Sequence, residues 1–456
     1  MRKLIKGCGR YDCTSVPTLT FVAGAVSIDI TPPSGIHLHN WAYSPHPIAT
    51  GIHQPLKAQI LAVENRETGF IQLLVSVDFG WWMSAADEWI FRGAILQATE
   101  LPEAQLILAL THTHSGPSIS RDDRDRPGGD LIEPYLDAVQ EKIGLAAKEI
   151  MTKMVPCYID WGYGLCTLAM NRDLYRSTEK RYVLAANDNV AADTTLLIGR
   201  VTSQDDQPIA VIANYAAHPT SLGGLNSKIS PDFIGSAREI VEREHGGVFI
   251  YLQGASGDLS PCQQYAENTD VAEKNGSILG HAVLSTLFGM LNPGETLLYD
   301  VTVESGAPLG TFVSQLKPQI SSQVSEIKKL SLRTQRNEPP TTTNPVVMAD
   351  RLLRASRIIG NVGNETTEFP VTFWKMGEAI FIAYPGEAYS LLQESLREAF
   401  PKRVILFINL ANGAHCGYVA PQIAYDTSRY PAWQSPLHAG SLEQLIDFCR
   451  GYISKV

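Results

Sequence analysis

Short apolar runs of strand length recur along the chain, and each ends near a chemically capable side chain set among Gly, Pro or Ser. Leu106-Ile107-Leu108-Ala109-Leu110 runs into Thr111-His112-Thr113-His114-Ser115-Gly116-Pro117. The same pattern leads from Phe70 to Asp78, from Ile209 to His218, and from Gly247 to Ser256 and Asp258. It recurs from Ala379 to Glu387 and from Val404 to Tyr418. Runs of this length bounded by turn residues read as buried strands. Between them, helical periodicity covers 85–100, 132–151, 233–244, 271–288, 348–359, 389–400 and 441–452. Strands alternating with helices throughout predict the α/β class, a mixed β-sheet core with flanking helices. In open α/β sheets ligands bind beyond strand ends, so the site is expected to be built from loops at several strand tips.

Residues 1–20 read as a loose N-terminal arm and 21–456 as one catalytic domain. Within it, the polar segment 318–345, rich in Ser, Thr, Asn and Pro, reads as an inserted excursion or a solvated linker. A net charge of −10 argues against nucleic acid or an anionic membrane as partner. There is no run of about 18 apolar residues, so no transmembrane helix is expected. The basic start has no apolar stretch of signal-peptide type, which makes the cytoplasm the expected compartment. Seven cysteines with no CxxC pair fit a reducing environment better than a disulfide framework. Oligomeric state is left open.

His112 and His114, two residues apart at a strand end, are expected to share one side of the pleat and emerge at the sheet rim. Neutral imidazole is the commonest metal ligand and the usual proton carrier near neutral pH. A pair of polar residues capping a strand is the plainer alternative for an isolated His-x-His. Two His plus one carboxylate form a standard catalytic zinc set that leaves a position open for water. His112, His218 and Glu387 fit by type, although they lie far apart and no HExxH is present. Gly254-Ala255-Ser256-Gly257 lacks the pattern of a nucleophile elbow, which ranks a serine hydrolase last. Asp78 is expected to orient a ligand imidazole through its second N–H, with a plain strand-end carboxylate as the alternative. His37, His39 and His53 either line an entrance or are satisfied loop histidines. His415 lies beside the expected site, whereas His245 and His281 read as packed or surface residues.

Nine segments, in one order, carry a resemblance. They are Gly24 to Pro32, Gly51 to Leu56, Val75 to Asp78, His112 to Pro117, Met170-Asn171-Arg172, Asn214 to Thr220, Gln253 to Pro261, Pro385-Gly386-Glu387, and Gly417-Tyr418-Val419 with Tyr430. Together they resemble the catalytic domain of the neutral/alkaline ceramidases and the shorter bacterial proteins that share it. The resemblance implies that His112, His218, Glu387 and Tyr418 are four ligands of one zinc ion. It implies that His114 and Arg172 hold the polar head and carbonyl of the substrate, and that Tyr430 donates to the developing oxyanion. Ser260 stands where the family has a serine considered as nucleophile; with a metal-activated water, a supporting role is expected for it.

This chain departs from the family pattern at its end. The family's C-terminal β-sandwich domain is not expected here, and Tyr430 is followed by Pro431-Ala432-Trp433. The family's block for a second divalent ion (Ca2+ or Mg2+) survives only as Pro436-Leu437-His438-Ala439, which puts that ion in question, as the unrecognisable lipid-pocket loops do for ceramide. The expectation is a zinc-dependent hydrolase that cleaves the amide bond of a small N-acyl compound, with lipid and sphingolipid metabolism as the setting that the resemblance implies. An esterase or lactonase with the same machinery, or a non-catalytic binding protein that keeps the fold, are the alternatives.

Overall fold

The computed structural model describes residues 19–38, 41–318 and 320–456. Of the expected N-terminal arm, residues 1–18 therefore lie outside the described residues, as does His39. Eight strands form the first sheet: β1 (Phe21–Asp29), β2 (Lys57–Asn65), β3 (Phe70–Val77), β4 (Leu106–Leu110), β5 (Val155–Leu165), β6 (Thr195–Ser203), β7 (Pro208–Tyr215) and β8 (Val248–Gln253). Their order is β8-β7-β6-β5-β1-β2-β3-β4, with β3/β4 and β7/β8 parallel and the other pairs antiparallel. A second sheet has the order β9 (Gln323–Arg333), β10 (Thr366–Met376), β11 (Ala379–Ala383) and β12 (Val404–Ile408), with β11/β12 parallel. The class is α/β with a mixed sheet core, as the alternation of elements predicts.

The period-two alternation of strands decides how these sheets stack. In β2, Ala58, Ile60 and Ala62 point to one core while Leu61 and Val63 point to another. The second of these cores lies between the sheets, where Leu61, Val63, Ile107, Ile212 and Ile250 meet Trp374, Phe381, Leu406 and Ile408. Helices cover the outer faces. α1 (Ala85–Thr99) and α2 (Ile132–Met151) cover one half of the large sheet, and α3 (Phe233–Glu244) and α4 (Asp270–Phe288) the other half. α5 (Pro345–Gly360) follows β9, and α6 (Leu391–Ala399) and α8 (Ser441–Ile453) pack on the small sheet, with the short α7 (Tyr430–Gln434) between them in sequence. The result is a helix–sheet–sheet–helix stack, a layered solution for burying apolar strand and helix faces.

Within the polar segment 318–345, residues 323–333 form β9, paired along its length with β10. Leu330 and Leu332 reach the core, Gln323 to Ile327 are half-buried, with Gln323 and Ser325 bonded to Gln72 of the other sheet, and the rest of the strand is exposed. Only one short apolar alternation marks it, so the composition reads as loop. Strand β5 and the strand Arg181–Asn187 escape a reading by apolar runs because they are largely half-exposed, and Ala169–Arg176 escapes it because its buried residues include Asn171, Arg172 and Asp173.

The sheets are stitched where their strands end. After β12 the chain runs along the free edge of β4: the Leu110 N–H donates to the Leu410 carbonyl at 3.1 Å and the Asn412 N–H to the Leu108 carbonyl at 3.1 Å. The Asn412 side chain accepts from the Leu108 N–H at 2.8 Å and donates to the Leu106 carbonyl at 2.7 Å. Asn412 sits at φ +53°, a left-handed conformation that Asn tolerates better than most residues. This seam satisfies an edge strand and aligns the tips of β4, β8 and β12 at one end. Asn412→Ala strands a buried donor and acceptor together and is expected to cost on the order of 2–4 kcal/mol in urea unfolding. A loss below about 0.5 kcal/mol, the level of an ordinary surface change, would contradict the role given to this seam.

Candidate functional site

The tip of β4 does not simply prolong the pleat. The strand ends at Leu110, and His112 adopts φ +71°, a conformation uncommon for a residue with a Cβ. Such strain costs about 1–3 kcal/mol and persists where the surroundings over-determine it. The His112 N–H is held by the Phe79 carbonyl at 2.9 Å, and its Nδ1 lies 3.1 Å from the Gly80 carbonyl. His112 and His114 do come together, with ring centroids 4.7 Å apart. The reason is this turn and its hydrogen bonds, not the shared face of a strand that the sequence predicts.

His218 follows β7 and is fully buried. Its Nδ1 lies 2.7 Å from the Ser256 carbonyl at the end of β8. A ring nitrogen beside a carbonyl is the protonated one, so His112 and His218 both turn a bare Nε2 into the site. Glu387 comes from the loop after β11, and its backbone pairs in parallel register with Tyr418, which sets the two side chains side by side. One carboxylate oxygen of Glu387 lies 2.8 Å from His218 Nε2 and 3.4 Å from His112 Nε2. The other lies 2.7 Å from His415 Nε2. The Tyr418 hydroxyl is 3.4 Å from His218 Nε2 and accepts from Arg172 at 3.0 Å.

Arg172 lies beneath this group, on the strand Ala169–Arg176, anchored by the Gly257 carbonyl at 2.9 Å. Its Nη2 is also 3.2 Å from His218 Nε2. His114 is flanked by Trp41 and Trp81, with ring centroids at 5.2 and 5.0 Å. Its Nε2 is 3.4 Å from His112 Nε2, and its buried Nδ1 has no hydrogen-bond partner among the described residues. Tyr430, on α7, faces Tyr418 at 5.8 Å between centroids and accepts a hydrogen bond from Gln434 at 2.8 Å.

Charge states follow from burial and neighbours. Burial opposes ionisation of Glu387, but the imidazoles around it, His112 first and then His218 and His415, hold its carboxyl well below the usual range. Burial and Arg172 push His218 down to about 3. Burial, then His112 and His218, hold His114 well below the ordinary imidazole value. His218 and His114 are therefore neutral at neutral pH, the form that ligates a metal or accepts a proton. Burial raises Tyr418 and Tyr430, the latter against opposing effects of Arg354 and Arg172, so Tyr430 keeps a proton to donate.

A tetrahedral zinc with bonds of about 2.0–2.1 Å separates its ligand atoms by about 3.3–3.4 Å. The separations of 3.4 Å among Nε2 of His112, Oε2 of Glu387, Nε2 of His218 and the Tyr418 hydroxyl match that edge, and the 2.8 Å pair falls short of it. One nitrogen from each of His112, His114 and His218 also lies within 4.8 Å of the others. By donor chemistry and spacing these residues fit a zinc ion.

Two cavities meet here. The first is lined by Trp81, His112, His114, Glu387, Tyr418 and Tyr430, among others. The second is a more apolar groove with Trp41, Tyr43, Leu184, Tyr265 and Trp433 in its wall. His114, Arg354, Tyr430 and Gln434 line both.

Residues 21–276 match the sequence model of the neutral/alkaline non-lysosomal ceramidase N-terminal region. The chain belongs to the neutral/alkaline non-lysosomal ceramidase family. A neutral ceramidase of Pseudomonas aeruginosa is 24% identical over 272 residues, which cover 56% of this chain and 36% of that relative, so the match spans about a third of the relative's length. Among solved structures, a ceramidase complexed with C2 superposes with a TM-score of 0.71 at 17% identity, covering 94% of this chain and 74% of the other. The neutral ceramidase of Pseudomonas aeruginosa gives 0.68 at 18% identity, covering 94% and 73%. At these identities the likeness establishes the ceramidase fold.

Of the residues singled out from the sequence, His112, His114, Arg172, His218, Glu387, Tyr418 and Tyr430 converge on this one place. Ser260 sits in the short strand Leu259–Pro261, beside the Leu259 carbonyl that accepts from the His218 N–H; it is fully buried and lines neither cavity, its hydroxyl without a hydrogen-bond partner among the described residues. Asp78 requires a correction. It does not orient an imidazole: its carboxylate binds Arg238 at 2.9 Å and the Lys57 N–H at 2.8 Å, and the Gly80 carbonyl takes the place expected for it beside His112. His53 bonds Ser230 and Glu273, and His37 the Pro127 carbonyl, away from both cavity walls. The loop they come from contributes Trp41 and Tyr43 instead. Arg354, Trp81 and Gln434 went unread; two tryptophans just past the Asp78 strand tip were the available signal for Trp81.

Asp78→Asn is expected to destabilise the fold by about 3 kcal/mol by leaving Arg238 unmatched in the interior. Metal affinity of the folded protein, measured by competition with a chromophoric chelator, should be unchanged. Weakened metal binding with wild-type stability would restore Asp78 to an orienting role.

Proposed function

We propose that this chain is a zinc-dependent amidase that hydrolyses a small-molecule N-acyl compound, with zinc held by His112, His218, Glu387 and Tyr418. The observation that carries the reading is the pair of buried imidazoles whose Nδ1 atoms are fixed on the Gly80 and Ser256 carbonyls while both Nε2 atoms meet one Glu387 oxygen. Membership of a ceramidase family supports amide hydrolysis as the reaction class. The five described cysteines are free, which supports a reducing compartment such as the cytoplasm. No helix among the described residues is long and apolar enough to cross a membrane.

When bound, zinc supplies Lewis acidity and brings hydroxide within reach at neutral pH by lowering the pKa of water to about 7. The chain's own residues do the rest. His415 fixes Glu387, and Arg172, which lines neither cavity, fixes Tyr418 from beneath. Tyr430 keeps its proton and donates a hydrogen bond to the carbonyl oxygen as charge grows there, a gain realised in the transition state. His114, neutral and with an unpaired ring nitrogen at the cavity, accepts a proton from water and returns it to the departing amine. In balance, amide plus water gives carboxylate plus ammonium: a C–O bond forms, the C–N bond breaks, and the nitrogen leaves protonated.

Protein purified without chelators is expected to carry about one zinc per chain, and His112→Ala and His218→Ala to lose both metal and turnover. Less than about a tenth of an equivalent in elemental analysis would overturn the zinc assignment. Ser260→Ala should keep metal and measurable turnover. Tyr430→Phe should keep zinc while kcat and kcat/KM fall together by about 10²–10³-fold, the usual worth of one oxyanion donor. An unchanged kcat in Tyr430→Phe would show that this hydroxyl does not meet the reacting oxygen. Matched amide and ester substrates separate an amidase from an esterase.

A further inference from the structure

One element of the fold carries apolar side chains on both faces and buries neither. The strands Glu295–Val303 and Leu309–Leu316, between α4 and β9, form a two-stranded sheet to which no other described strand is added. All their residues except Glu295, Thr296 and Thr311 are exposed. Nine large apolar side chains among them are 44–59% exposed, Phe312 the most. The register sets Leu297, Tyr299, Phe312 and Leu316 on one face, with the Tyr299 and Phe312 rings in edge contact at 5.6 Å, and Leu298 and Val313 on the other. An antiparallel pair with a solvated face alternates apolar with polar, whereas both faces here are apolar. A lone two-stranded hairpin is marginal in water, and three or more strands are needed for independent stability.

The base of the hairpin is fixed. The Gly294 N–H donates to Asp160 at 3.0 Å, and Lys317 pairs with Asp160 at 2.9 Å and with Glu378 at 3.5 Å. Glu378 stands just before β11, whereas Glu387 follows that strand's end, so the hairpin base and the candidate site lie at opposite ends of β11. The two edges of the hairpin differ. On the first strand, Asp300 falls in a register irregularity between Tyr299 and Thr302. A charge and a bulge are devices by which natural sheets blunt an edge. The second strand, Leu309-Gly310-Thr311-Phe312-Val313-Ser314-Gln315-Leu316, has no charge and no proline, and its outer edge pairs with no described strand.

Charge selects what adds to that edge. The hairpin's charges, Glu295, Asp300 and Glu304, all lie on the first strand or in the turn. A two-fold axis beside the second strand therefore places every carboxylate at the outside of the joined sheet. A chain of net charge −10 meets its own copy at least electrostatic cost through such a neutral segment. A lipid surface fits less well, because the tip, Glu304-Ser305-Gly306-Ala307-Pro308, is acidic and polar where insertion needs apolar residues. The exposed apolar surface amounts to roughly 800 Å² per copy, the area one partner of a standard interface buries.

We propose that this hairpin is a dimerisation arm, in which Leu309–Leu316 pairs antiparallel with the same strand of a second copy across a two-fold axis to give one four-stranded sheet. Phe312 and Val313 stand at the middle of the strand, so symmetric pairing sets both beside the partner strand, where aromatic and β-branched cross-strand neighbours are favourable. The joined sheet has the strand count that the lone hairpin lacks. The inference is independent of the amidase reading.

The test is sedimentation velocity of the full chain over about 1–100 μM, where interfaces of this size at the weak end begin to associate, with amide hydrogen exchange read at residues 309–316. Wild type is expected to be a dimer at the upper end of that range. Phe312→Lys and Val313→Lys set like charges across the axis and should each weaken the dimer at least about 30-fold, the loss typical of a central anchor. Both should keep the wild-type circular dichroism spectrum. Leu145→Lys, at a residue 61% exposed on α2, should leave the dimer unchanged. The Leu309–Leu316 amides should exchange more slowly in the dimer than in the monomer, whether dilution or either lysine variant produces it, so the failure of one variant to fold leaves two routes to the comparison. A monomer at every concentration, or a dimer in which these amides gain no protection and Phe312→Lys has no effect, would overturn the proposal. A monomer that floats with phosphatidylcholine vesicles, and no longer does so as Phe312→Lys, would assign the hairpin to a lipid surface and overturn it equally.

Discussion

A carboxylate with 4% of its side chain exposed cannot stand uncompensated, and the site is organised around that requirement at Glu387. Imidazoles from three separate segments meet it, His112 from the tip of β4, His218 from beyond β7 and His415 from beyond β12; two of them bring bare Nε2 lone pairs, so the charge there calls for a cation, which the proposed metal would supply. Each must arrive with the right nitrogen forward, and backbone carbonyls at Gly80 and Ser256 see to that for two of them. The strained backbone of His112 belongs to the same demand, because a strand simply continued would not present Nε2 to that oxygen. The seam at Asn412, which holds the ends of both sheets in register, keeps these contributors within hydrogen-bond reach.

The layered core was legible because its strands are buried on both faces and read as unbroken apolar runs. β1, α2 and α3 fall where the pattern of apolar residues puts them, from Phe21, Ile132 and Phe233 onward. β9 was not legible: only Leu330 and Leu332 are core residues in a strand that is otherwise half-buried or exposed and carries Gln, Ser, Glu and Lys. Propensity and apolar periodicity carry little information for such half-wet edges, whose placement is decided by the partner strand.

The site was legible to the extent that chemistry concentrates at strand tips. His112, His218 and Glu387 could be grouped by residue type, but only the family pattern pointed to Tyr418 and Arg172. What a single sequence could not show was which carboxylate serves which cation. Asp78 and Glu387 look alike at strand ends, yet one neutralises Arg238 and the other faces three histidines. Arg354 was hidden for a related reason: a helix arginine is usually a solvated one, and only the packing of α5 against the cavity distinguishes it. Family membership therefore accounts for the common frame.

The central claim is that Glu387 and Tyr418, with His112 and His218, enclose one metal ion. His114 offers a rival set with the same two histidines, since its nitrogen lies within 4.8 Å of theirs. Anomalous diffraction recorded on both sides of the zinc absorption edge, from crystals grown without added metal, decides between them. The account predicts one peak per chain, about 2.0–2.3 Å from Nε2 of His112 and His218, an oxygen of Glu387 and the hydroxyl of Tyr418. No peak, or a peak held by His112, His114 and His218 with Glu387 and Tyr418 outside bonding distance, would contradict it.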